Sequence, residues 1–227
     1  MRMSRRMGLL GGKKLPPGLP TLAELFADMT VIKQGGRNSS KSGAVSMSVN
    51  IEANPSIYIF AFCSDSFAIH HLLSNGSEYG KTTLYRATDD SNATNIYISE
   101  TSCYLSTDGS SRAAVYGGTI IAATFPSYTD DQISAVFGNI SIKNSAGRDN
   151  SSADTIYLSN TGITGKIILT AWNGAMCAAP VTSPTEYICT LDKGSIKARN
   201  YVDSSKTYFS INGTSPAIVY GGTILTI

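Results

Sequence analysis

The sequence predicts an all-β protein made of two similar β-sandwich domains, and three observations lead to this prediction. The hexapeptide Val-Tyr-Gly-Gly-Thr-Ile occurs twice, at 115–120 and at 219–224. Short stretches of alternating or continuous apolar residues recur along the chain. Turn-forming pairs such as Asp108-Gly109 separate these stretches. Short strands at such spacing are typical of sandwiches and barrels.

The repeat extends beyond the hexapeptide, which indicates an internal duplication. At the same offset, Tyr97 faces Tyr201 and Tyr104 faces Tyr208. Nearer the start of each copy the offset is larger. There the segment 36–40 faces 147–152, and Ala61-Phe62 faces Ala171-Trp172. The first copy must therefore contain extra residues, which we place between Cys63 and Asn95.

These alignments predict three parts of the chain. Residues 1–20 form a unique N-terminal arm, residues 21–125 a first β-sandwich domain, and residues 126–227 a second domain that repeats the first. Hydrophobic residues make up 42% of the sequence, which is enough for packed cores in domains of this size.

Each copy opens with a pattern that predicts a short helix. Thr21 is followed three residues later by Glu24, and Thr129 by Gln132, as in a capping box. Apolar residues at helical spacing follow in both copies. Because this stripe recurs, we expect each helix to cover one end of its own domain. A partner-docking helix is the alternative.

The remaining segments predict strands. Residues 45–51 alternate between apolar and polar, which places one face in a core. Residues 57–62 and 167–172 are continuously apolar, as in central strands. Residues 224–227 end the sequence as a strand, which we expect to be paired. The Gly pairs at 117–118 and 221–222 predict a bulge or a bend.

No catalytic residue, metal ligand set or cofactor motif stands out, so an enzyme is not expected. His70 and His71 are adjacent, so on a strand they would point to opposite faces, and their position among the extra residues predicts a loop. The pair Asp89-Asp90 fits a solvated turn, with calcium binding as the alternative. Asp130 and Asp131 fit the first turn of a helix.

Four cysteines and one tryptophan are expected to lie in the cores. The cysteines form no CxxC pair and have no His at metal-ligand spacing, so we expect buried, reduced thiols, with a disulfide as the open alternative. The single Trp172 aligns with Phe62 and is therefore expected in a core. The four cysteines are Cys63, Cys103, Cys177 and Cys189.

The N-terminal arm carries a charge opposite to that of the body. Residues 1–14 contain five basic and no acidic residues, whereas the rest has 13 basic and 16 acidic. The low density of basic residues in the body therefore disfavours a broad nucleic-acid surface there. Pro16-Pro17 favours an extended backbone. An extended segment of this kind becomes ordered only when it lies against a partner. The predicted assembly residues are Arg2, Arg5, Arg6, Leu9, Leu10, Lys13, Lys14, Pro16 and Pro17.

A basic arm followed by tandem Ser, Thr and Asn-rich β-domains resembles bacteriophage virion structural proteins. Capsid decoration proteins and tail or neck accessory proteins with immunoglobulin-like (Ig-like) domains share this architecture. The resemblance implies a non-enzymatic protein that joins a particle through its arm, as a homo-oligomer among other virion proteins. Because neither a signal peptide nor an apolar membrane span is found, synthesis in the host cytoplasm is expected.

Two other functions remain open. A fibre or adhesin-type protein would bind a receptor or a glycan through loops, above all the region 64–95. Its expected contacts are His70, His71, Asn75 and Tyr79. A glycan hydrolase would need a pair of carboxylates, for which the sequence offers no candidate.

Overall fold

The structure, a computed structural model, confirms the all-β prediction. It describes residues 18–49, 56–74, 79–86, 94–99, 102–159, 162–181, 188–193, 196–202, 206–210 and 215–227. Short helices open both halves of the chain, and antiparallel strands make up most of the rest. Neither helix within these ranges has the length and apolar character needed to cross a membrane.

Helix α1 of the first half spans Leu22–Asp28, and the strands that follow have these bounds: β1 Thr30–Gly43, β2 Ser46–Ser48, β3 Ile57–Cys63, β4 Ser66–Ser74, β5 Tyr79–Arg86, β6 Asn95–Ser99, β7 Ser102–Ser106 and β8 Val115–Thr124. Helix α2 of the second half spans Asp130–Phe137, and its strands have these bounds: β9 Asn144–Asp154, β10 Tyr157–Ser159, β11 Ile167–Trp172, β12 Ala175–Pro180, β13 Ile188–Lys193, β14 Ile196–Val202, β15 Lys206–Ser210 and β16 Val219–Thr226.

The two halves follow the same order of elements and nearly the same pairing. Each half has a large sheet, with the order β1-β8-β3-β4-β5 in the first and β9-β16-β11-β12 in the second. Each also has a small sheet, with the order β2-β7-β6 and β10-β15-β14-β13. They differ in one strand, because β5 joins a large sheet whereas β13 joins a small one. Strand β16 pairs with β9 and β11, as predicted for the last strand.

The cores show that the sheets stack in four layers, with the two large sheets in the middle. Alternate residues of β3 point into a central core that also contains Leu169 and Ala171 of β11. The other face of each large sheet packs on the small sheet of its own half. The two sandwiches therefore share a core between them. Its largest buried side chains from the first half are Tyr58, Phe60, Phe62 and Phe67.

Both helices begin with the predicted capping boxes and then pack into the central core. Thr21 Oγ1 accepts from the Glu24 amide at 3.2 Å, and Thr129 Oγ1 from the Gln132 amide at 3.3 Å. The expectation that each helix covers its own domain holds only in part, because Phe26 of α1 contacts Phe60 of its own half but both helices also pack on the other half. Helix α1 lies against β12, and α2 against β5, because the core that buries them belongs to both halves.

Strand β3 is buried throughout and β11 nearly so, as predicted for central strands. The alignment of Trp172 with Phe62 is wrong by one residue. Cys63 pairs with Ser66 next to its hairpin turn, and Trp172 pairs with Ala175 at the same place in the other half. Trp172 therefore takes the position of Cys63 and faces the small sheet, where it is buried as expected. The predicted strand 45–51 is shorter, because β2 ends at 48 and residues 50–51 lie outside the described ranges.

The two copies of the hexapeptide cross at the centre of the molecule. A side chain at Gly117 would overlap the backbone of Gly221, and one at Gly221 would overlap Gly117. Only glycine permits two backbones to approach so closely. The Gly pairs thus serve a close approach of strands. The predicted bulge is also present, because the register shifts between Val219 and Gly221 and, opposite Gly117, between Asn38 and Gly43.

Side chains from each half bind the crossing strand of the other half in the same way. Asn38 Oδ1 accepts from the amide of Tyr220 at 2.8 Å. Asp149 Oδ1 accepts from the amides of Tyr116 at 2.6 Å and Gly117 at 3.0 Å. Asn38 and Asp149 occupy matching places in the aligned segments 36–40 and 147–152. These reciprocal bonds relate the halves by an approximate two-fold arrangement.

Candidate functional site

The two histidines lie in a strand and not in a loop, so that prediction is wrong. Both belong to β4 and are buried, His70 with 0% and His71 with 6% exposure. Strands β4 and β5 are longer than β12 and β13. The predicted opposite orientation is confirmed, because His70 pairs with Ile59 of an outer core whereas His71 pairs with Tyr58 of the central core.

Several predicted site residues either fall outside the described ranges or are described by their backbone alone. Tyr79 begins β5, where the structure describes the backbone alone. Asn75 and the Asp89-Asp90 pair lie in the gaps 75–78 and 87–93. The same applies to all the predicted assembly residues, namely Arg2, Arg5, Arg6, Leu9, Leu10, Lys13, Lys14, Pro16 and Pro17.

His71 belongs to a polar cluster between the first half's large sheet and helix α2. Its ring stacks on Tyr58, with centroids 4.4 Å apart. The Tyr58 hydroxyl donates to Asp130 Oδ1 at 2.6 Å, and the Ser56 hydroxyl to Asp130 Oδ2 at 3.0 Å. His71 Nε2 lies 3.8 Å from Asp130 Oδ2, too far for a hydrogen bond. We call Ser56, Tyr58, His71 and Asp130 the polar cluster.

Burial controls the ionisation of this cluster. Loss of solvent lowers the pKa of His71 below its ordinary value of 6.5, and the neighbouring Asp130 carboxylate opposes this only in part. Burial and the bond to Asp130 raise the pKa of Tyr58. At neutral pH the cluster therefore contains a neutral imidazole and a neutral phenol around one carboxylate. The hydrogen bonds of the polar cluster connect α2 to β3, so the cluster has a structural role.

The described part of the N-terminal segment is fixed between the two helices. The Gly18 carbonyl accepts from Gln132 Nε2 of α2 at 3.4 Å. Leu19 packs partly buried on the central core, and Pro20 is buried. The next residue, Thr21, caps α1. The chain thus enters the body at the helix pair.

An open groove lies beside this entry point and has a volume of about 270 Å³. Leu22 of α1 and Val136 of α2 form one part of its wall, and Ile140 and Ile227 form another. Asn139, Ser141 and Lys143 complete the lining. We call this the helix-pair groove. The sequence pointed to apolar stripes on both helices but could not show which residues would stay partly uncovered.

The other polar groups offer little for catalysis. Burial and the nearby Asp149 carboxylate raise the pKa of the Cys63 thiol, which disfavours the reactive thiolate. Within the residues that the structure describes, no three His, Cys, Asp or Glu side chains are placed to hold a metal ion. Asp130 and Asp131 lie in the first turn of α2, as predicted.

The cysteines divide into two kinds. Cys63 and Cys103 are buried and carry no disulfide, as expected. Cys177 is disulfide-bonded, so the expectation of a reduced thiol is wrong for this residue. Cys189 lies in β13, where the structure describes the backbone alone.

Each small sheet pairs a tyrosine with a cation on its outer face. The Arg112 guanidinium lies 4.0 Å from the ring centroid of Tyr104, and Lys206 Nζ lies 4.7 Å from that of Tyr157. Tyr157 is 43% exposed and contacts Tyr208 edge to face. These tyrosines lie on the outer faces of two different sheets and mark two further candidate surfaces. Of the two, only Tyr104 belongs to the tyrosine pairs that the repeat aligned.

Comparisons with known proteins do not extend this description. The chain matches no protein-family model, no curated protein and no solved structure. The geometry of its own residues is therefore the basis for assigning a function.

Proposed function

We propose that the chain is a non-enzymatic virion structural protein that attaches to a phage particle through residues 1–20. It would serve as a capsid decoration protein or as a tail or neck accessory protein. The observation that carries this proposal is the fixed entry of the N-terminal segment. Gly18 and Leu19 are held against the helix pair of a body with a continuous core, so the basic residues before them start from a defined point.

Charge and packing support an assembly role. The segment 1–14 has five basic residues and no acid, whereas the rest of the chain has a small acidic excess. A basic segment of this kind binds acidic surfaces of neighbouring proteins, and association is favoured when the potentials are complementary. The proposed partners are other virion proteins and further copies of the chain. The polar cluster holds α2 on β3 and needs no substrate to explain its residues.

The test uses particles of a phage that encodes this chain. Mass spectrometry of purified particles is expected to find the chain in defined stoichiometry. Replacing Arg2, Arg5 and Arg6 by Ser should strongly reduce its retention on particles at physiological salt, because ionic contacts are lost. The matched control replaces Lys33, Lys41 and Arg86, three exposed body residues, by Ser and should leave retention unchanged. Absence from the particles, or equal retention of both variants, would contradict the proposal.

A receptor- or glycan-binding module is the second candidate, and the tyrosines of the small sheets favour it. Exposed aromatic rings beside cations offer stacking and hydrogen bonding to a sugar or a protein. In this case replacing Tyr157 by Ser should reduce binding to host cells, whereas the three arginine substitutions should not. Retention on particles and binding to cells therefore separate the two functions.

A further inference from the structure

Two connecting segments lead into the two helices and each contacts the opposite helix, although at different positions along it, and only one of them is described over its whole length. Residues 125–128 lead into α2, whose cap is Thr129, and residues 17–20 lead into α1, whose cap is Thr21. Each segment is bound by the opposite helix. Asp28 of α1 accepts from the Ser127 amide at 3.0 Å, and Gln132 of α2 donates to the Gly18 carbonyl.

The segment before α2 fills its side of the central core with an aromatic ring. Phe125, four residues before the cap, is 4% exposed. Its ring packs edge to face on Tyr58 at 5.4 Å and on Phe137 at 5.5 Å. The connection into α2 is thereby anchored by an apolar side chain that contacts both β3 and the last residue of the helix it enters.

The equivalent place on the other side is the helix-pair groove. Ile167 corresponds to Tyr58, because each lies five residues before the residue that starts its hairpin turn, Trp172 in β11 and Cys63 in β3. The backbone of Ile167 bonds in both directions with that of Ile227, which lines the groove. The position four residues before Thr21 is Pro17, and Leu15 and Pro16 precede it. Leu15 is three residues from Gly18, so it reaches at most about 11 Å from that anchored residue.

We propose that the helix-pair groove binds Leu15-Pro16-Pro17 of the same chain. Leu15 would contact the apolar wall formed by Leu22, Ile140 and Ile227. A site so close to the anchored Gly18 meets its own segment at a high effective concentration, which favours this occupant over a second copy. The basic residues 1–14 then leave the body at the helix pair.

The experiment measures trypsin cleavage within the intact full-length chain. Seating of Leu15 should slow cleavage after Lys14 by about tenfold or more relative to cleavage after Arg6, because proteolysis requires release of a buried leucine. Leu15→Ser should abolish this difference. The double variant Leu9→Ser, Leu10→Ser should keep it, since these leucines are not the proposed anchor. Circular dichroism of Leu15→Ser checks that the rest of the chain stays folded.

Variants of the body complete the test. Ile140→Ser in the groove should also abolish the difference between the rates of cleavage after Lys14 and after Arg6. Ile218→Ser, at a 69% exposed site away from the groove, should leave that difference unchanged. Equal cleavage after Lys14 and Arg6 in the unmodified chain would overturn the proposal. Protection that grows as the protein is concentrated from about 2 to about 200 µM, well below the roughly mM effective concentration of a short tether, with dimers in light scattering, would show that a second copy is the occupant and would also overturn it.

Discussion

The two halves of the chain pack differently at corresponding positions beside the two helices. Where α2 meets the first half's large sheet, Tyr58, His71 and Asp130 form a closed polar cluster. At the equivalent register of the second half, Ile167 pairs with Pro180, and an open apolar groove lies beside Ile227. One side joins the halves through specific bonds, and the other leaves room for a segment of chain. Two halves with the same order of elements can therefore differ in packing at corresponding positions.

The largest expected effect concerns the close approach of the strands at Gly117 and Gly221. Gly221→Val would force a side chain into the backbone at Gly117 and separate the two large sheets. We expect a loss of about 3 kcal/mol or more in the free energy of unfolding, measured by urea denaturation, since overpacking against backbone cannot be relieved by rotation of a side chain.

The neighbouring Gly222 provides a matched control for the crossing. An added methyl group there would meet the flexible end of Ile156 at 3.2 Å, which can move. Gly222→Ala should therefore cost much less than Gly221→Val. Similar losses for the two variants would show that the close approach of the strands is not a special feature of the fold.

The next largest effect concerns the polar cluster. Tyr58→Phe removes the bond to Asp130 while keeping the stacked ring, and we expect a loss of about 2 kcal/mol, as for hydrogen bonds to charged groups. Tyr157→Phe on the exposed outer face should change stability by less than about 0.5 kcal/mol. If Tyr58→Phe lowers stability as little as Tyr157→Phe does, the polar cluster does not hold the halves together.

The two helix caps give a smaller and more symmetrical effect. Thr21→Ala and Thr129→Ala each remove a capping bond, and each should cost about 1 kcal/mol in thermal or urea unfolding. Comparable losses would show that both helices contribute to one cooperative unit. A loss confined to Thr129→Ala would indicate that α1 unfolds separately from the central core.

The smallest expected effect is a pH dependence of the polar cluster. Because burial lowers the pKa of His71, the unfolded chain takes up a proton more readily than the folded protein. Stability should therefore fall as the pH drops through the ordinary histidine value of 6.5 toward the lower folded value. In His71→Phe, which keeps an aromatic ring against Tyr58, the loss of stability between about pH 7.5 and pH 5 should be smaller. An identical decline in both proteins would exclude His71 as a cause.

Local features were predictable because their causes lie within a few residues. The capping boxes at Thr21 and Thr129, the buried strand β3 and the pairing of β16 follow from patterns that act over short distances. The boundaries at 20 and 125 remain predictions. The aligned hexapeptides indicated an important position at Gly117 and Gly221, although not the reason for it.

Contacts between the halves were not predictable, because they depend on how two sheets meet in space. Nothing in the sequence near α1 shows that it packs on β12 of the other half. The error at His70 and His71 has a related cause, since extra residues in one copy can lengthen strands as well as loops. The helix-pair groove likewise exists only once both helices lie on the shared core.

The most direct test of the proposed function is hydrogen exchange of the full-length chain, free in solution and bound to purified particles. We predict fast exchange for residues 1–14 in the free protein and strong protection of the same residues on the particle, because the basic segment then binds neighbouring proteins. If residues 1–14 still exchange fast on the particle while the outer strands that carry Tyr104 and Tyr157 become protected, attachment through the N-terminal segment is contradicted.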